Sequence, residues 1–245
     1  MPSSPSKRDR DLRVERLIAR PFAHRGLHGD GRIENSRAAF QAAIDAGHGI
    51  ELDVQASADG EAMVFHDDRL ERLAEAEGPV RGLAAEALTR IRLRGSTESI
   101  ATLAEVLRLI AGGAPLLIEL KSPGRRVAAL SGAVNRALAD YVGPVAVMSF
   151  NPAVGRWFAR HAPEHLRGLV VTEAGKASRG RLRRWLAFHW SNPDFLAYDV
   201  RDLPSRFAEA RRRRGVKLLT WTCRTDVHRS LAAAHVDQII YETGA

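Results

Sequence analysis

The chain holds one cysteine, Cys223, in 245 residues, which excludes an intramolecular disulfide. It has no apolar run approaching the ~18 residues a membrane-spanning helix needs. Residues Met1 to Arg20 carry charges throughout, where a secretory signal would place an apolar stretch and a cleavage site. These absences lead to the expectation of a cytoplasmic protein with no transmembrane segment and at most a peripheral contact with membranes. No internal repeat and no second domain are expected. The formal net charge of +8 comes from scattered arginines and three clusters, Lys7 to Arg20, Arg181 to Arg184 and Arg211 to Arg214. None carries a recognisable nucleic-acid reading motif, so no nucleic-acid partner is expected; Arg211 to Arg214 reads as the solvated end of a helix, where cations favour the dipole.

What is present is a regular alternation of short apolar strands and amphipathic helices, which indicates a parallel sheet with crossover helices. Strands are predicted at Phe22 to Arg25, Gly49 to Val54, Pro115 to Leu120, Val145 to Phe150, Leu166 to Val171, Phe195 to Val200, Val216 to Thr222 and Gln238 to Glu242. Eight such units in a chain of this length give an α/β class and a (β/α)₈ TIM barrel, typically about 250 residues. The domain reading is a basic extension over 1–20, unstructured for its first dozen residues, and a single barrel over 21–245. Helices are predicted after a cap at Asn35 or Ser36, at Thr102 to Ala111, Arg125 to Ala139, Pro152 to His161, Arg181 to Trp190, Pro204 to Arg214 and Asp226 to Ala234. Glu61 to Asp67 breaks the alternation. It follows Val54 too closely for a parallel crossover, across the turn signal Asp59-Gly60, so it is read as the antiparallel arm of a small hairpin inserted after the second strand. Residues 68–99 read as a longer insertion, partly helical, over the barrel mouth.

Three carboxylates and two histidines fall at the mouth ends of these strands. In Ile50-Glu51-Leu52-Asp53-Val54 the two acids share one face and the apolar residues the other. Glu119 stands in the same pattern within Leu116-Leu117-Ile118-Glu119-Leu120. Acids clustered on an apolar strand are costly unless a cation sits among them, and oxygen-only ligation suits Mg²⁺ or Ca²⁺ better than zinc. His24 ends the first strand, and the hairpin returns His66 to the level of Asp53.

In these residues the chain resembles the glycerophosphodiester phosphodiesterases of the short, single-domain bacterial type. The matching pieces are His24-Arg25-Gly26, Glu34-Asn35-Ser36, Glu51-Leu52-Asp53-Val54, Phe65-His66-Asp67, Ile118-Glu119-Leu120-Lys121, Ser149-Phe150 and Trp221, in order over residues 21 to 242. The resemblance implies a phosphoric diester hydrolase in which Glu51, Asp53 and Glu119 hold one divalent cation, Mg²⁺ or Ca²⁺, and His24 and His66 form the acid–base pair, His24 accepting a proton and His66 donating one. The implied substrate is a small phosphodiester, a deacylated phospholipid cleaved to glycerol 3-phosphate and an alcohol such as choline, ethanolamine or glycerol. Two rival functions remain open at this point: lysophospholipase D-type cleavage of lysophospholipids, and a non-catalytic barrel that binds phosphodiesters or membranes.

Five further side chains are candidates for substrate contact. Arg25 would reach a phosphate oxygen if the strand has ended before it, and Lys121 shares the face of Glu119. Glu34 is read as bonding a rim residue or a metal-bound water, and Phe150 and Trp221 as walls of an alcohol pocket or as ordinary packing. Asn35 is read as an N-cap. His28, His48, His161, His165, His189, His228 and His235 lack a partner pattern and are read as surface or packing residues, and Cys223 receives no nucleophilic role. At the last strand, Tyr241-Glu242 stands where the family often has a Thr-Asp pair. The helix carrying Leu182, Trp185, Leu186 and Phe188 against Arg181 and Arg184 is read as burying its apolar face, with a basic, aromatic lip at a lipid surface as the alternative.

Overall fold

Alternation of side chains along each strand places one set against the helices and the other inside a ring, and the chain closes on that basis. The computed structural model describes residues 6–173 and 178–243. In chain order the elements are α1 (Lys7–Leu17), β1 (Phe22–His24), α2 (Arg37–Asp45), β2 (Gly49–Ala56), β3 (Ala62–Val64), α3 (Ala85–Leu88), β4 (Ala101–Thr102), α4 (Leu103–Ile110), β5 (Leu116–Leu120), α5 (Ala128–Ala137), β6 (Val145–Ser149), α6 (Pro152–His161), β7 (Leu166–Val171), α7 (Ser178–Ser191), β8 (Phe195–Asp199), α8 (Arg206–Arg212), β9 (Lys217–Cys223), α9 (Asp226–His235) and β10 (Gln238–Tyr241), with 3₁₀ turns at Val80–Gly82 and Val200–Asp202. Strands β1, β2, β5, β6, β7, β8, β9 and β10 pair in parallel, and β1–β2 pairing closes the ring, giving the expected (β/α)₈ barrel.

Two antiparallel strands lie outside the ring. β2 overshoots it, and Val54 to Ala56 pair with β3, which pairs in turn with β4. This is the hairpin predicted from Asp59-Gly60, and it carries His66 back to the mouth. Residues beyond it build a small core of their own from Met63, Phe65, Leu70, Ala74, Val80, Leu88, Leu93 and Ile100. No residue of 68–99 lines the central cavity, so the insertion stands beside the mouth where a cover was expected.

The alternation divides the apolar residues as predicted. Ile50, Leu52, Val54, Leu116, Ile118 and Leu120 face the helices. Phe22, Leu117, Met148, Leu166, Phe195, Leu219 and Ile240 fill the interior. The interior layer is closed from below by α1, whose Val14 and Leu17, with the following Ile18, pack into it. The first dozen residues were expected to be unstructured; from Lys7 they are helical, because Ser6 caps the helix and one apolar face, spaced 14, 17, 18, finds the open end of the barrel. Residues 1–5 lie outside the described part. Leu17 is fully buried, so Leu17→Ala is expected to cost about 3 kcal/mol of unfolding free energy, readable as a lower urea midpoint with little change in slope; an unchanged midpoint would mean that α1 does not plug the barrel.

The other predicted helices appear within a few residues of their expected limits, but α7 differs in its facing. Leu182, Trp185 and Leu186 are exposed by 62, 47 and 51 %, whereas burial of their face was expected; of that set only Phe188 packs against the core, and Trp190 is exposed by 49 % as well. The small residues decide the rotation. Gly155 of α6 approaches Ser191 so closely that a Cβ on Gly155 would lie 2.9 Å from the serine Cβ, and Gly180 and Arg184 are also buried, Arg184 pairing with Glu173 at 2.8 Å. Close helix–helix contact through small residues turns the bulky ones outward.

Candidate active site

At the C-terminal end of the ring the inward register places Glu51 and Asp53 of β2 beside Glu119 of β5, with Asp53 and Glu119 directly paired. All three acids are buried, and one carboxylate oxygen from each lies within 4.8 Å of the others. Glu51 Oε1 accepts no hydrogen bond among the described residues. Asp53 Oδ1 and Glu119 Oε1 face the Lys121 ammonium at 3.0 and 2.5 Å. Burial, and then the neighbouring Asp53 and Glu119 charges, push the Glu51 carboxyl well above its ordinary range; burial also raises Glu119. Burial alone would raise Asp53 too, but Lys121 and Arg25 hold it down to about 2. The two cations therefore hold Asp53 ionised but leave Glu51 and Glu119 raised. The all-oxygen set of the three acids, with an orphaned buried oxygen, fits a hard divalent cation.

The strand β1 ends at His24, so Arg25 is free of the alternation. It adopts a left-handed conformation with φ 58° and swings inward, its Nη1 2.7 Å from Glu34 Oε1 and its Nε 3.2 Å from Asp53 Oδ2. Its backbone N–H donates to Glu51 Oε2 at 3.1 Å. Gly26 follows with φ 80°, and a Cβ there would lie 2.8 Å from Ala39, so the turn that delivers Arg25 needs glycine. Asn35 does not cap α2. Ser36 does, accepting from the Ala39 N–H, and Asn35, at φ 56°, points its amide into the site, donating to Asp53 Oδ2 at 3.0 Å. The left-handed backbone turns its side chain away from the helix end and toward the buried acid.

Both histidines line the same cavity as this cluster, and both act electrostatically on Asp53. His24 Nδ1 lies 2.5 Å from Glu242 Oε1, and its Nε2 3.9 Å from Glu51 Oε2. Glu242 is held near 2 by hydrogen bonds from His24 and Arg224, which overcome its burial; being ionised, it can only accept, so Nδ1 carries the proton and Nε2 keeps its lone pair. Burial lowers the His24 pKa, partly offset by Glu242. His66 also has a carboxylate at this atom: its Nδ1 lies 2.6 Å from Asp67 Oδ1. Asp67 is held near 2, chiefly by Arg72, which also grips Glu34 at 2.8 Å.

His24, Arg25, Glu51, His66, Glu119 and Lys121 line a cavity of about 390 Å³ with Met148, Val170, Ile240, Phe150 and Trp221. The last two rings meet edge to face at 5.3 Å, and the Trp221 Nε1–H donates to the Ala197 carbonyl. Asp199, Arg201, Thr222, Arg224 and His228 complete the wall. His228, read as a surface or packing residue, belongs to it because α9 starts at the mouth. Glu242, Asp67 and Arg72 were given no role from sequence. Glu242 was legible in principle, since Ile240 faces inward and a residue two further on must do the same; Arg72 had no such signal, because it lies in an irregular segment. Cys223 is buried, and burial pushes its thiol up to about 11, consistent with a packing role.

Residues 24–243 match the model of the glycerophosphoryl diester phosphodiesterase family. A glycerophosphodiester phosphodiesterase of Caldanaerobacter subterraneus subsp. tengcongensis is 30% identical over 231 residues, which is 89% of this chain and 92% of that protein. Another, from Bacillus altitudinis, is 36% identical over 107 residues, 41% of this chain and 43% of the relative. Among solved structures, an Oleispira antarctica phosphodiesterase in complex with the product sn-glycerol-3-phosphate superposes with a TM-score of 0.79 at 22% identity, over 92% of this chain and 93% of that one. A glycerophosphodiester phosphodiesterase from Agrobacterium tumefaciens superposes with a TM-score of 0.67 at 27% identity, over 90% and 94%.

Proposed function

The chain belongs to the glycerophosphoryl diester phosphodiesterase family and is a phosphoric diester hydrolase, and we propose that it cleaves glycerophosphodiesters to glycerol 3-phosphate and an alcohol by acid–base catalysis at His24 and His66. The observation that carries this reading is the pair of histidines, each with Nδ1 tied to an ionised carboxylate, in one cavity with a buried acid cluster.

Glu51, Asp53 and Glu119 would hold one Mg²⁺ or Ca²⁺, which when bound supplies positive charge against the phosphoryl oxygens and the oxyanion that builds up on them. The chain's own residues do the rest. Arg25 and Lys121, both aimed into the cluster, bind and orient the anionic diester. Asn35 fixes the Asp53 carboxylate, and Arg72 fixes Glu34, which in turn steadies Arg25. His24, kept neutral by burial, takes the proton at Nε2 from the attacking water, or from a substrate hydroxyl whose cyclic phosphate water then opens, as the new O–P bond forms. His66, entering the step as the imidazolium with Nδ1–H on Asp67, gives its Nε2 proton to the departing alkoxide as the second P–O bond breaks. Phe150 and Trp221 wall the space for the leaving alcohol. Charged and polar residues make up most of the cavity lining, which favours a deacylated headgroup over a lysophospholipid's acyl chain.

The test is release of glycerol 3-phosphate from glycerophosphocholine by the purified protein, after chelation and after readdition of each metal. Turnover restored by a divalent cation supports the reading; none with either metal would overturn it for this substrate. Glu242 is expected to act as a positioning residue for His24. Glu242→Gln should lower kcat by about 10²-fold with KM little changed. Because the Glu242 contact raises the His24 pKa, its loss should also move the acid limb of the rate profile to lower pH. An unshifted limb would show that Glu242 serves only the fold.

A further inference from the structure

Four of the large apolar side chains most exposed on this protein, Leu182, Trp185, Leu186 and Trp190, lie within nine residues of one helix. Their spacing of three and four residues puts them on a single face of α7. The opposite face, with Gly180, Arg184 and Ser191, is buried against the barrel, so the outward orientation is set by packing and does not depend on a local choice of rotamer. Exposed patches of this kind on a soluble domain mark contact with another surface.

We propose that α7 docks the protein on an anionic lipid surface. Arg181 and Arg183 flank the apolar face and are exposed, and Ser178–Ser191 contains no acidic residue. Tryptophan beside arginine suits the headgroup boundary, where an amphipathic ring sits at the interface and a guanidinium meets lipid phosphate. The charge argues against a second copy of the chain as occupant. An isologous pair through this face would bring arginines against arginines with no carboxylate on either helix to receive them. A lipid phosphate layer is the complementary partner, in keeping with the +8 charge of the whole chain. Since α7 runs along the flank of the barrel between β7 and β8, docking by this face leaves the mouth open to water, where soluble diesters arrive.

The inference is independent of the catalytic reading, because none of these residues lines the cavity. It is tested by co-sedimentation of the purified protein with vesicles of phosphatidylcholine alone and of phosphatidylcholine mixed with phosphatidylglycerol. The wild type should bind the mixed vesicles and release as salt is raised. Partitioning should weaken at least about tenfold in Leu182→Ser/Trp185→Ser and in Arg181→Glu/Arg183→Glu, with hydrolysis in solution and thermal midpoint unchanged in both. No binding by the wild type, or binding that survives the serine pair, would overturn the proposal. So would a dimer in analytical ultracentrifugation that the same substitutions dissociate, with no vesicle binding, since the face would then belong to a second copy.

Discussion

His66→Ala leaves a folded protein that still binds a divalent cation but turns over glycerophosphodiesters about 10³-fold more slowly, the scale of a positioned general acid. The fold is spared because His66 lies at the rim, its side chain 30 % exposed and, among the described residues, bonded only to the adjacent Asp67. Its role separates from that of His24 by choice of leaving group. An aryl phosphodiester whose phenolate departs without a proton should recover most of the lost rate in His66→Ala and none in His24→Ala, because only the acid becomes dispensable. Removing both histidines should cost little more than removing either, as groups acting in one step are not additive. Wild-type rates in His66→Ala would sink the proposed mechanism, and rescue of His24→Ala alone by the aryl ester would exchange the two roles.

Stripping the divalent cation is expected to lower turnover by at least about 10³-fold, corresponding to several kcal/mol of transition-state charge stabilisation, and to alter stability with a pH dependence of known sign. Without a cation, Glu51 titrates well above its ordinary value of 4.5 because of burial and the neighbouring acids. An acid whose folded pKa is raised binds more protons folded than unfolded. Its destabilisation is therefore absent below about 4.5 and grows as pH rises from there to the folded pKa. A bound cation removes that penalty, so the gap in thermal midpoint between loaded and chelated protein should widen from mildly acidic to neutral pH. Binding at a pH between the ordinary and the raised Glu51 pKa should release protons, measurable by calorimetry in buffers of different ionisation enthalpy. A gap that is constant with pH, together with no proton release, would mean that the cation binds away from Glu51. Glu51→Gln should remove most of the pH dependence and most of the affinity together.

Much of this site was legible one strand at a time. Period-two alternation is a local property, and it is enough to place Glu51 with Asp53 and Glu119 with Lys121, each pair on one face with aliphatic residues on the other. The Asp-Gly turn with a short return segment is local too, and it brings His66 back beside Asp53, as the Phe65 N–H to Asp53 carbonyl bond shows. The repeated strand–helix order, together with the length, led to the barrel.

The remainder depends on partners that no local pattern names. Asn35 looks like an N-cap in sequence because it precedes a helix; only the positive φ forced by the turn after β1 sends its amide to Asp53 and leaves the cap to Ser36. The bulky face of α7 looks like a core face because periodicity reports that a face exists and is silent about which side meets a neighbour. The close approach of Gly155 to Ser191 settles that choice. In α1 a short apolar stripe within a charged segment is too weak to predict a helix alone, and it becomes one because the open end of the barrel rewards it with burial. The acids, the histidines and the barrel order were thus set by the sequence by itself, through strand periodicity and turn chemistry. The meeting of His24 with Glu242 across 218 positions, the Arg72 bridge, the plug and the outward face of α7 were decided only by tertiary structure, because each arises where ring closure, helix packing or an irregular loop joins residues that have no register in common along the chain.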